Sequence, residues 1–206
     1  MYLVRILTIM TLLLGLSGCV TVPIPFSKDR KQQVHRVAIA KEVVMPEDMY
    51  LWLSDMRLIA GGPQPVFIPK SSTGKANALV AKLQQRGISI QAIVREQLQQ
   101  QLSAKNVFPL ENDEAKADAV LYIHIDLYGF SLRSGFGTKV YPVLRLYVEL
   151  VKGKKILWRK GSYLTPLHPN AIGHSYADIN YDPELVLEMW QDASQSVISD
   201  IVKSLD

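Results

Sequence analysis

Cys19 is the one residue in this chain whose type and position together define a chemistry. It is the only cysteine among 206 residues, so no intramolecular disulfide can form, and it closes the stretch MYLVRILTIMTLLLGLSGC. Arg5 gives that stretch a positive start, Ile6 to Leu16 form an apolar run of eleven residues, and Ser17 and Gly18 put small side chains directly before the thiol. The order is that of a secretory signal. The run is too short for a membrane span, which needs about 20 residues. The remaining residues offer less. His168, His174, Asp178 and Asp182 fall in one segment, but their spacing fits no helical or finger geometry, so no metal is expected there. Gly135-Phe136-Gly137 is a glycine-rich turn with no helix N-terminus after it, which argues against a phosphate cradle. No nucleophile-elbow motif singles out a serine. The chain therefore reads as non-enzymatic, with no cofactor and no metal.

Leu16-Ser17-Gly18-Cys19 resembles the lipobox of bacterial lipoproteins. The resemblance implies that the Cys19 thiol is diacylated, that the signal is cut before it, and that the new amine receives a further acyl chain such as palmitate. Each buried CH₂ contributes about 0.8 kcal/mol and one acyl chain holds only marginally, so three chains make a lasting membrane anchor. Val20 stands where the inner-membrane retention signal familiar from enteric bacteria has Asp, which implies the outer membrane, with the domain facing the periplasm. That address leaves no role for nucleic acid. Without residues 1–18, 188 residues remain, with 22 basic against 19 acidic side chains. That length suffices for one domain with its own core, and the weakly basic balance selects no partner.

The elements that would carry this domain can be read in order. Residues 19–34 are the lipidated cysteine and a linker, where Pro23 and Pro25 favour an extended spacer and Lys28, Arg30 and Lys31, interrupted by Asp29, read as solvated. Residues 35–206 read as a single α+β periplasmic domain. His35 to Val44 is a first strand. Pro46-Glu47-Asp48 looks like a helix start, and the apolar residues Met49 to Ile59 then make the 46–74 insertion a core flap, a ligand cover or an interface. Ala76, Leu79, Val80 and Leu83 predict a helix ending at Gly87. Ser89 caps a second helix, with Ile90, Ile93, Val94, Leu98 and Leu102 as its apolar stripe. Val107 to Leu110 is a short strand. Ala119 to Tyr128 and Val140 to Val151 alternate as strands, joined by a hairpin from Gly129 to Lys139, and Gly153-Lys154 turns into Lys155 to Thr165. Pro166 to Tyr181 has no period and reads as a loop. Asp182 with Pro183 starts a last helix, whose stripe is Leu185, Met189, Ala193, Val197, Ile201 and Leu205. The sum is an α+β fold: a mostly antiparallel sheet with a three-stranded meander and helices packed on one face.

Partner binding is the chemistry left to this sheet. On the solvent side Tyr122, His124, Asp126 and Tyr128 could face Tyr141, Arg145, Tyr147 and Glu149, and seven of the nine tyrosines lie between residues 122 and 181. Tyrosine and arginine are enriched at binding hot spots, although tyrosine also suits any half-covered sheet. Phe130, Leu132 and Phe136, flanked by Arg133 and Lys139, would form an apolar hairpin tip that touches a partner or the bilayer. The phrases ADAVLYIHIDLYGF and GKKILWRKGSY, followed by a terminal helix, resemble small periplasmic lipoprotein domains of secretion and envelope assembly, including the curli-secretion lipoprotein family, over about residues 85–205. That resemblance implies an assembly role and an envelope protein as partner. The expected function is an outer-membrane-anchored protein-binding module in envelope biogenesis or secretion. The alternative is a carrier of lipid or another apolar ligand in a cavity under the 46–74 insertion, and an enzyme comes third.

Overall fold

Two fourteen-residue strands form the axis of the fold. The structure is a computed structural model and describes residues 22–53, 73–133, 137–169 and 171–205. In chain order its elements are α1 (Lys28–Lys31), β1 (Val37–Val44), β2 (Tyr50–Trp52), α2 (Thr73–Gln85), α3 (Ile90–Lys105), β3 (Leu110–Glu111), a 3-10 turn (Glu114–Lys116), β4 (Ala119–Leu132), β5 (Lys139–Lys152), β6 (Lys155–Leu164), β7 (His174–Ser175), α4 (Tyr176–Tyr181) and α5 (Pro183–Lys203). The sheet runs β3-β1-β4-β5-β6, with β2 on the far half of β4 and β7 on the first residues of β5.

The expected meander β4-β5-β6 is present and antiparallel. The expectation of a mostly antiparallel sheet is corrected: β1 pairs in parallel with both β3 and β4, and β2 in parallel with β4, so the sheet is mixed. The reason is connectivity. Helices α2 and α3 intervene between β1 and β4, and such a crossover returns the chain in the same direction. The helix expected from Pro46 is also absent: Tyr50–Trp52 form a strand, with Met49 and Leu51 buried. An added parallel strand buries the same apolar side chains that a helix would. The rest of the insertion, 54–72, lies outside the described residues.

Local signals place the helices. Gly87, at φ +71°, closes α2, and the Ile88 N–H donates to the Leu83 carbonyl in the manner of a glycine-terminated helix. The Ser89 hydroxyl accepts from the Ala92 N–H at the start of α3, whose buried residues are the five of the expected stripe. Asp182 accepts from Glu184 N–H ahead of Pro183 to start α5. Met189, Trp190, Ala193, Val197, Ile198 and Ile201 of α5 are buried against β5, β6 and α3. The segment 166–181 is not a loop throughout: Ser175 and Asp178 form a reciprocal capping box that starts α4. No helix among the described residues is long and apolar enough to cross a membrane.

One irregularity governs which side chains reach the core. On β4, Ile125 lies opposite Leu146 but Leu127 lies opposite Arg145, so Asp126 is an extra residue. A bulge of one residue swaps the faces of everything beyond it. Ala119, Leu121, Ile123 and Ile125 point inward before it; Tyr128, Phe130 and Leu132 do so after it.

Candidate protein-binding face

The outer face of the meander is built by three strands whose inner faces are locked in the core, so its side chains have little freedom of register. Tyr122 stands opposite Glu149, and His124 opposite Tyr147. The His124 and Tyr147 rings stack with centroids 4.5 Å apart and 3° between planes. Glu149 joins the group: its Oε2 is 3.9 Å from His124 Nε2, and its Oε1 accepts from Arg159 Nε. Below them Arg145 Nε is 3.4 Å from Asp126 Oδ2, the side chain of the bulge residue. Burial first, and then the carboxylates of Glu149 and Asp126, push the Tyr147 phenol above its usual range, with Arg159 opposing. A protonated hydroxyl beside two carboxylates is a donor held ready at neutral pH.

This arrangement is a ladder of alternating rings and charges in which His124, Tyr147 and Glu149 are half-buried and Arg145 and Asp126 are exposed. Tyr122 is 38% exposed and Tyr163, opposite Arg145 on β6, is 67% exposed. Aromatic side chains held rigid by cross-strand neighbours present area without much rotamer entropy to lose. Within the ladder Glu149 is paired with Arg159 and Asp126 with Arg145.

Of the residues expected to meet a partner, the structure brings Tyr122, Arg145 and Tyr147 together on this face. Tyr128, Phe130 and Leu132 are corrected. Past the Asp126 bulge they turn inward, and Tyr128 and Phe130 pack on the Trp190 ring with centroids at 6.1 and 5.9 Å. The strand also continues to Leu132, so the hairpin begins later than Gly129. Gly129 itself adopts φ +137° because Tyr50 passes over it: a Cβ there would stand 1.9 Å from the Tyr50 carbonyl oxygen. Tyr141 points outward but is covered, with the Arg133 guanidinium 4.4 Å over its ring and Gly173 packed against it. Phe136, Gly18 and Cys19 lie outside the described residues. Asp178 completes the capping box of α4 and Asp182 caps α5.

Sequence reasoning missed Arg159 and Tyr163. A two-residue turn at Gly153-Lys154 puts Trp158 opposite Glu149, but the register slips by one between Leu150 and Val151, which moves Arg159 into that place and buries Trp158. A second concavity, about 480 Å³, lies along α5 and is lined by Leu164, Leu185 and Met189 with Glu188, Asp192 and His174 at its polar side.

No protein-family model matches the chain, and no curated protein does. Among solved structures, the fold is similar to the PelC dodecamer from Paraburkholderia phytofirmans, at 10% identity over 89% of this chain and 93% of that one, with a TM-score of 0.39. It is similar also to the hypothetical protein CT253 from Chlamydia trachomatis, at 11% identity, 82% and 94% coverage and a TM-score of 0.42. A third is lipoprotein GNA1162 from Neisseria meningitidis, at 14% identity, 74% and 92% coverage and a TM-score of 0.30. Similarity this distant carries no statement about what this chain does.

Proposed function

We infer that this chain is a lipoprotein of the outer membrane whose periplasmic domain binds an envelope protein in assembly or secretion, without catalysing a reaction. The observation that carries the reading is the lone cysteine placed directly after a signal run and two small residues. The exposed ladder of Tyr122, His124, Arg145, Tyr147 and Tyr163 supplies the surface, since such residues make the anchors of protein interfaces. A photo-crosslinking side chain at Tyr122 in cells tests it. The expected result is a discrete adduct that is absent with the same group at Gln99, exposed on α3. Equal or absent adducts at both positions contradict the use of this face.

The carrier reading places its cavity under the 46–74 insertion, of which residues 54–72 lie outside the described residues. A different concavity, the groove along α5, has the volume of a small-ligand site and an apolar floor of Leu164 and Met189. Mass spectrometry of protein released from membranes tests it, and a stoichiometric unbound-acyl lipid in that sample favours the carrier over the adaptor.

A further inference from the structure

The first described residues cross the outer edge of the sheet in a defined direction. Ile24 forms a lone antiparallel bridge with Arg159 on the outer edge of β6, its N–H donating to the Arg159 carbonyl at 2.9 Å and its carbonyl accepting from Arg159 N–H at 3.0 Å. Because the bridge is antiparallel, residues after Ile24 run toward Lys155. The Arg30 guanidinium confirms this by bonding the Leu157 carbonyl, as does Lys152 Nζ by bonding that of Gln33. Val22 and Pro23, before Ile24, therefore lie on the Leu164 side of the bridge. The described chain begins at Val22, three positions after Cys19, a reach of at most about 11 Å. The basic cluster of α1 lies on the opposite side of the bridge.

The Leu164 end is where the exposed apolar side chains gather. Leu167 is 75%, Ile172 62%, Tyr163 67% and Val22 65% exposed, four of the seven large apolar or aromatic side chains so displayed among the described residues. Leu167 and Ile172 are not loose. Arg133, at the end of β4, donates to the carbonyls of Pro166 and Ala171, the residues directly before each of them. Its guanidinium also stacks on Tyr141, against which Gly173 packs. The connection from β6 to β7 is thus a pinned platform holding two aliphatic side chains in water. Pro142 explains why the platform exists: it has no N–H to donate, and the edge of β5 is vacant between its partners Leu164 and His174.

We propose that this end of the sheet rests on the phospholipid bilayer, with Leu167 and Ile172 entering the acyl boundary. Aliphatic side chains displayed on the side of the sheet where the described chain begins, three positions after an acylated Cys19, have the bilayer as their nearest apolar phase. The strands then stand upright on the membrane and the ladder faces sideways into the periplasm. The proposal rests on the acylation of Cys19 inferred above.

The test uses the full chain purified from membranes, its acyl mass verified, and placed in phosphatidylethanolamine-phosphatidylcholine vesicles. L167C, I172C and, as a control at the far end of β6, K154C each receive an environment-sensitive fluorophore. The expected result is blue-shifted emission at 167 and 172, quenched severalfold more strongly by spin-labelled lipid than the emission at 154. Water-like emission at 167 and 172 from acylated, vesicle-bound protein overturns the docking and leaves the anchor standing. Absence of the acyl mass overturns the anchor and the docking with it. Shielding of both probes in whole envelopes but not in vesicles assigns this end to a protein partner, and also overturns the docking.

Discussion

Two residues fix local geometry that the rest of the chain depends on. Gly129 lies under the Tyr50 carbonyl at a φ that side chains avoid, so Gly129→Ala must either clash or push β2 off β4. The expected cost is on the order of 3 kcal/mol, read as a lowered urea midpoint; an unchanged midpoint contradicts the close approach. Asp118 ties β1 to β4 by accepting from the N–H groups of His35 and Arg36, with Lys152 Nζ 3.9 Å away. Burial alone would raise its carboxyl, but those N–H groups and the Lys152 cation outweigh burial and hold it below its usual range. A group depressed in the folded state stabilises fully above its unfolded value, about 3.9 for Asp, and loses that contribution as pH falls through its folded value. Asp118→Asn should therefore melt below wild type near pH 7, with the gap closing as the pH drops below about 4. A gap that stays constant across that range removes Asp118 from the linkage.

At the scale of elements, the sequence was most legible where a period and a punctuating residue agreed. Helix α3 followed from Ser89 and its five-residue stripe, and α5 from Asp182-Pro183 and a stripe that continues to Leu205. Both strands of the central hairpin followed from alternation. It was least legible where a single inserted residue changes the face of a strand. Nothing in LYIHIDLYGF marks Asp126 as extra, so Tyr128 and Phe130 read as outward while they are inward. The slip after Leu150 hides Arg159 from Glu149 in the same way. The apolar stretch after Pro46 failed for another reason: a short apolar run does not distinguish a buried strand from a buried helix. Helix α5 is the element whose failure should be global. Val197 is 1% exposed, and Val197→Asp places a carboxylate without a partner under the sheet, at a cost of about 3 to 5 kcal/mol. Thermal unfolding followed by circular dichroism checks it, and a melting temperature equal to wild type shows that this face is not buried.

At the scale of the whole molecule, the fold has two ends and one open face, each with its own surface chemistry. The far end carries Lys28, Lys154 and Lys155, exposed and charged. The other end carries the exposed aliphatic side chains of Leu167 and Ile172, on the side of the Ile24 bridge where Val22 lies. Between them lies the ladder from Tyr122 to Tyr163, exposed at both of those residues. This polarity gives a lipid anchor at Cys19 a geometric meaning, since it would hold the ladder clear of the membrane for a partner in the periplasm. The claim on which the rest depends is the anchor, and metabolic labelling with a clickable palmitate analogue measures it most directly. Wild type should incorporate the label and fractionate with membranes, while Cys19→Ala should incorporate none and accumulate as the longer, uncut chain. Equal labelling and equal membrane fractionation of the two proteins would contradict the account.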